Sequence, residues 1–445
     1  MTATTITGHG SAAAPPLPQR QAMLAVGFSC LGWAFDLFDL FILLYVAPVL
    51  ARLFFPSDVP MLSLAAVYAS FTATLLMRPV GGMLFGPLAD THGRKRAMVI
   101  ASVGVGTSTA LMGALPTLQQ VGVLAPLLFL ALRLIQGVFM GGMVASTHTL
   151  GTESIAPRWR GLASGIISGG GSGVGKLMAS LVFLLASTLF PGPAFDEWGW
   201  RVMFFSGLLS SVLGLLVFTQ LQESPLWASL QQHKAAAPVK REKPPARRLL
   251  EPGNRRAAAI GIALTFAGGA LSYLTSGYLP SFLRLVSHLP AQETGLILSA
   301  CAFAVMTSSV LAGWITDLIG RRKAMAIYGL ISLVGIPLLY RALGGATSTA
   351  EIAWLAVALS ALGTLAYAPL LIVLNELFPT AIRSTGTAVS WNIGFSLGGA
   401  TPVLVSLLSA QATGLAATLV GVTAVIALLY LLALAFTPET RGAMR

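Results

Sequence analysis

Apolar residues run along this chain in long unbroken blocks, without the alternation of strands or the single apolar stripe of soluble helices. A helix needs about 20 mainly apolar residues to cross a bilayer, and twelve stretches meet that demand. They lie near 22–50, 62–88, 97–115, 122–150, 160–190 and 200–221, then near 256–283, 291–317, 323–342, 352–376, 383–409 and 413–436. A polar segment rich in Pro, Lys and Arg separates the sixth from the seventh. The pattern predicts an all-α integral membrane protein built as two six-helix bundles, 22–221 and 256–437. They are joined by a linker over 222–255 and flanked by tails over 1–21 and 438–445.

Composition agrees. Of the 445 residues 55% are apolar and 9% charged, against about 25% charged in ordinary soluble domains. The N-terminal stretch MTATTITGHGSAAAPPLPQR has no apolar core and predicts a disordered tail rather than a signal peptide. Cys30 and Cys301 both sit in apolar runs and form no spaced framework, so neither a disulfide scaffold nor a metal site is expected.

The net charge of +12 follows topology. With the N-terminus inside, the cytoplasmic segments hold Arg20, Arg94, Lys95, Arg96, Arg158, Arg160, the linker's basic residues, Arg321, Arg322, Lys323, Arg383, Arg441 and Arg445. The outer segments hold only Arg52, Arg201, Arg284 and Arg341. The positive-inside rule therefore predicts both termini in the cytoplasm of a bacterial inner-membrane type protein. It leaves no role for the charge in nucleic-acid binding.

Two motifs recur at nearly one offset. GPLADTHGRKR (Gly86 to Arg96) and GWITDLIGRRK (Gly313 to Lys323) both fit G-x-x-x-D-x-x-G-R-[KR], with Asp90 and Asp317 227 residues apart. GTESIAPRWRG and LNELFPTAIRS align Glu153 with Glu376, 223 residues apart, and Arg160 with Arg383. Six spans are thus duplicated, an arrangement that places a binding site between the halves at mid-membrane.

On these repeated loops and the 6+6 plan, the chain resembles the major facilitator superfamily over essentially its whole length. LMRPVGGMLFGPLADTHGRK, RLIQGVFMGG, WGWRVMFF, YLTSGYLPSFL and NELFPTAIRSTGTAVSWNIGFSLGGATP resemble its proton-coupled organic-acid branches: the metabolite, sialate/lactate and aromatic-acid symporters. QESPLW and PETRG also occur in sugar porters. Where many metabolite symporters carry Glu after the fourth-span Gly-Gly, this chain has Met143, so that residue's coupling role has no counterpart here. The resemblance implies alternating access by a functional monomer that takes up a small organic anion with H+. No cofactor beyond the proton gradient is implied. Its cytoplasmic gate maps onto Gly86, Asp90, Gly93, Arg94, Glu153, Arg160, Asp317, Gly320, Arg321, Glu376 and Arg383.

Charges within the spans are few, and each costs at least about 2.5–3.5 kcal/mol at bilayer centre. They are Asp36 and Asp39 in the first span, Arg78 in the second, Arg133 in the fourth and Lys176 in the fifth. Asp36 and Asp39, at i and i+3, share a helix face. An aspartate that moves between a dry environment and the neighbourhood of an arginine changes its proton affinity, so these two are the candidate proton carriers. Arg133, in R-x-x-Q-G with Gln136, matches the family position that pairs with a first-span acid; a static buried pair is the other reading. Three cations against two aspartates leave excess positive charge for an anion. Arg78, Gln136 and Lys176 are candidate substrate ligands, and Tyr273, Trp391 and Asn392 sit where the family lines its cavity, although each also suits helix packing. Tyr278 is expected in the interfacial belt.

The segment SGGGSGVGKLMAS contains G-x-x-x-x-G-K. Leu177 stands where a phosphate-binding loop needs Ser or Thr, and no strand precedes it. The alternative is helical. Ser164, Ser168, Ser172, Lys176 and Ser180 form a polar stripe facing the cavity, beside Gly165, Gly169 and Gly173 at the spacing that lets helices approach closely. Lys176 then receives the substrate carboxylate, or else snorkels outward as a structural cation. The Ser/His/Asp sets, metal clusters and paired external acids of enzymes are missing from the sequence. The rival transport readings are a carrier of zwitterions or neutral solutes, such as betaine or sugars, and a drug/proton antiporter.

Overall fold

A computed structural model describes residues 19–92, 94–153, 155, 159–220, 249, 251–379, 382–409 and 411–441. The first half contributes α1 (Gln19–Phe54), α2 (Pro60–His92), α3 (Arg94–Gly113), α4 (Leu124–Glu153), α5 (Gly171–Leu189) and α6 (Gly207–Gln220). The second contributes α7 (Pro252–Ser272), α8 (Ala291–Ile319), α9 (Arg321–Gly345), α10 (Thr349–Leu365), α11 (Arg383–Gly399) and α12 (Leu415–Ala435). Ten helices among the described residues are long and apolar enough to span a membrane. The predicted third and sixth spans lie in shorter apolar pieces. Val99–Gly113 follows the basic start of α3, and Ser206 separates Trp200–Phe205 from α6.

Three spans among the described residues open or change course through π-helical turns. Gly165–Gly170 leads into α5 after the short helix Arg160–Ser164, Phe195–Gly199 opens the sixth span before Trp200–Phe205, and Tyr273–Gly277 carries α7 into Leu279–Leu285. Such i→i+5 turns cluster at functional sites.

The halves meet along two equivalent seams, α5 with α8 and α2 with α11. Six spans separate α2 from α8 and α5 from α11, so each seam repeats the other, as the duplicated motifs require. Glycine makes the first seam possible. A Cβ on Gly169 would overlap the Ser309 side chain, one on Gly173 would lie 2.6 Å from Met306 Cβ, and one on Gly165 3.0 Å from the Ser309 carbonyl oxygen. Along the second seam Thr72 Oγ1 donates to the Gly399 carbonyl (3.0 Å) and Ser396 Oγ to that of Leu75 (2.8 Å). α1 is buried nearly all round, as expected of a helix apolar on every face, whereas α9 and α12 keep most of their surface outward. Leu185, Leu311, Trp354, Leu428 and Leu432 are among the exposed large apolar side chains that suit a lipid solvent.

At the end where the linker joins, Asp317 Oδ2 accepts the Leu162 amide (2.9 Å) across the seam. Arg321 pairs with Asp317 at 2.5 Å and with Glu376 at 3.0 Å. Gly93 lies outside the described residues, as do the surroundings of Gly86 and the side chains of Asp90, Arg94, Glu153 and Arg160. At the far end Tyr68 and Tyr278 stack at 5.0 Å between centroids, bridged to Ser281 and Ser406 respectively. Tyr278 is fully buried, which corrects the expectation of an interfacial belt: the opposing half covers the ring and Ser406 satisfies its hydroxyl.

Candidate substrate and proton site

The central position of α1 buries whatever it carries, and it carries both aspartates. Asp36 is met by Arg78, whose Nη2 lies 3.0 Å from each carboxylate oxygen. Both residues are almost fully buried, 3% and 2% exposed. Glycines seat this arginine. A Cβ on Gly141 would strike the carbonyl oxygen of Arg78, and one on Gly81 that of Val138, so α2 and α4 touch backbone to backbone.

Asp39, one turn further along, faces a different group. A Cβ on Gly207 would lie 3.3 Å from Asp39 Oδ1, which places α6 directly against the carboxylate. Arg133 is within electrostatic reach of Asp39 and Arg78. Its Nη1 donates to Gln136 Oε1 (2.6 Å), and Gln136 Nε2 donates to Thr109 Oγ1 (2.7 Å). Gln136 thus orients Arg133. The two aspartates share a face as predicted but answer to separate partners.

Lys176 is 3% exposed, and its ammonium has no hydrogen-bond partner among the described residues. It stands 4.9 Å over the Phe41 ring, and its backbone carbonyl accepts the Tyr45 hydroxyl at 3.2 Å. Gly175 beside it packs on the α1 backbone at Phe38, holding α5 close enough for the lysine to reach inward. The Ser164, Ser168, Ser172 and Ser180 side chains are buried with it. Ser180 accepts from Ser299 of α8 at 3.0 Å. Lys176, Tyr45, Ser276, Cys301 and Ser360 are among the lining of a cavity of about 10 Å³, room for about one water.

Aromatic rings fill the interface nearer the linker end. Trp33 meets Trp391 edge-on at 5.5 Å, Trp391 stacks on Phe395 at 4.8 Å, and Tyr273 joins Phe395 to Phe71. Arg133 lies 5.9 Å over the Phe71 ring. The Tyr273 hydroxyl and Trp391 Nε1 have no hydrogen-bond partner among the described residues. Asn392 is turned back onto its own helix, donating to the Ala388 carbonyl. Tyr273 and Trp391 therefore join one group, while Lys176 lines a separate cavity.

Several residues escaped sequence reasoning. Cys301, Ser276 and Ser360 come to Lys176 from three different spans of the second half. At the linker end Glu439 accepts the Arg321 and Arg322 amides (2.9 and 3.1 Å), and Thr440 donates to Glu376 (2.8 Å). The PETRG stretch held the only signal for that pair.

Residues 23–306 match the Major Facilitator Superfamily, and residues 271–442 match the family described as Sugar (and other) transporter. The chain is 33% identical over 435 residues to the inner membrane metabolite transport protein YhjE of Escherichia coli (strain K12), covering 96% of each. It is 30% identical over 400 residues to the proline/betaine transporter of Salmonella typhimurium, covering 86% of this chain and 77% of that protein. The alpha-ketoglutarate permease of Escherichia coli is 29% identical over 395 residues, at 87% of each. Among solved structures, the D-xylose-proton symporter shares the fold with a TM-score of 0.72 at 18% identity, over 95% of this chain and 99% of that one. The chain belongs to the Major Facilitator Superfamily and is a multi-pass inner-membrane transporter, not an enzyme.

Proposed function

We propose that the chain is a proton-coupled symporter that takes up a small organic anion, a mono- or aromatic carboxylate, by alternating access. The observation that carries this reading is Lys176: a buried ammonium with no hydrogen-bond partner among the described residues, facing a cavity between the halves. A buried charge without a partner is costly, and a substrate carboxylate supplies one. Asp36 with Arg78 forms the proton-carrying pair in this reading, and Arg133 with Gln136 sets the electrostatics of Asp39. Both termini lie in the cytoplasm, as the distribution of Lys and Arg supports. The alpha-ketoglutarate permease among the relatives is consistent with an anionic substrate.

A zwitterion is the second reading. It is favoured by the proline/betaine relative and by the Trp33–Trp391 group, since aromatic faces attract quaternary ammonium ions. Uptake into proteoliposomes under an inward proton gradient separates the two. Lactate and benzoate should accumulate in the parent, and Lys176→Gln should raise their KM. Accumulation of betaine alone would sink the anion reading.

A further inference from the structure

The cavity at Lys176 is shared between the two halves. Lys176 and Tyr45 line it from the first half; Ser276, Cys301 and Ser360 line it from the second, on the seventh, eighth and tenth spans. Cys301 is 4% and Ser360 1% exposed; both line the same small cavity as Lys176, and the Ser360 hydroxyl has no hydrogen-bond partner among the described residues. The Tyr45 hydroxyl is already committed to the α5 backbone. The groups left to meet a ligand are thus the ammonium on one side and the hydroxyls and thiol on the other.

We propose that Ser360 and Cys301 complete, from the second half, a split receptor for one carboxylate of the substrate headed by Lys176. The proposal rests on the anion-symport reading and adds the residues that set what the site accepts. A carboxylate offers about four acceptor positions on two oxygens. The ammonium has three donors, the Ser360 hydroxyl one, and the thiol a weak one. The lysine therefore serves one oxygen and the second half the other. A cavity of about 10 Å³ admits one water and no carboxylate, so α8 and α10 must draw back from α5 before the anion enters. Their return onto the bound anion ties the halves together. Gly165 and Gly169 of the π-helical turn against Ser309, with Gly173 of α5 against Met306, form the contact along which that movement takes place. Binding energy is then realised only when the halves are closed, which is how a substrate shifts a two-state equilibrium.

The test uses the chain's two cysteines. In a Cys30→Ser background Cys301 is the sole thiol, and full-length protein in proteoliposomes is treated with an anionic or a cationic methanethiosulfonate of similar size. The anionic reagent should react faster by about tenfold, within the range by which charge raises local concentration. Lys176→Gln should abolish that preference, and a transported carboxylate should protect the thiol. Ser360→Ala should raise the carboxylate KM about tenfold with the maximal rate kept, as for one hydrogen bond to a charged group. Carboxylate uptake with charge-blind, unprotected labelling would overturn the split receptor and leave the symport reading standing. Charge-selective labelling in a protein that carries no carboxylate would instead overturn the symport reading, and the receptor's ligand with it.

Discussion

A single nitrogen of Arg78, Nη2, faces both carboxylate oxygens of Asp36 at 3.0 Å, while the Arg78 Nε makes no hydrogen bond among the described residues. One nitrogen serving two oxygens is a looser clasp than the parallel two-nitrogen fork of bidentate pairs. The pair is well placed to part and re-form without rebuilding its surroundings.

Removing one partner leaves a buried charge uncompensated, at about 3–5 kcal/mol. Asp36→Asn and Arg78→Gln should each lower the melting temperature, and the double variant should regain part of that loss. Proton-driven accumulation should vanish in Asp36→Asn while exchange persists. Melting curves combined with uptake and counterflow assays read both effects; additive losses in the double variant would rule out a coupled pair.

The α5–α8 seam predicts a contrast between neighbouring glycines. A Cβ at Gly173 meets the Met306 backbone at 2.8 Å, whereas at Gly170 the nearest atom is 3.6 Å away. Gly173→Ala should destabilise by about 1–3 kcal/mol through overpacking and slow transport. Gly170→Ala should leave both near the parent values. Equal melting temperatures for the two variants would contradict the seam.

Glu439 supplies a pH test outside the membrane. Burial acts to raise its pKa, yet the amides of Arg441, Arg321, Arg322 and Thr440 together hold the carboxyl below its ordinary 4.5. A depressed carboxyl stabilises the fold at pH above its ordinary value, and that contribution disappears as pH falls through the native value. The melting temperature of the parent should exceed that of Glu439→Gln at pH 7, and the gap should close as pH drops below about 4.5. A gap that widens on acidification would reverse the assignment.

Asp317 holds Arg321 and the Leu162 amide at once. Asp317→Ala should release the seam at the linker end while Arg321 keeps Glu376. A cysteine introduced by Leu162→Cys should then react faster with a bulky thiol reagent applied from that side. An unchanged rate would show that Asp317 does not hold this end closed.

Much of this was legible in the sequence because it depends on periodicity. Span positions, the duplicated halves, the small-residue face of α5 and the interior position of Asp36, Asp39, Arg78, Arg133 and Lys176 follow from apolar run length and i+4 spacing. What stayed hidden depends on how helices rotate against one another. Asp36 and Asp39 share a face, yet α2 reaches one and α6 the other. Tyr278 reads as a boundary residue until the opposing half covers it. Cys301 and Ser360 lie in separate apolar runs, and only the α8–α10 packing brings them to the lysine. Glu439 carried no charge pattern of its own, since its partners are backbone amides at the start of α9.

The π-helical turn at Gly165–Gly170 has a consequence for how this carrier can change. A wide turn takes up one residue more than the α-helix needs, while the helix beyond it keeps its phase. Deleting a single residue there would restore the α-helical turn and leave Lys176 aimed at Cys301 and Ser360, whereas a deletion in the α-helical stretch between Gly171 and Lys176 would swing the lysine about 100° around the axis. The turn at Gly165–Gly170 is therefore the place in this span where the chain can gain or lose one residue without re-aiming the group that binds.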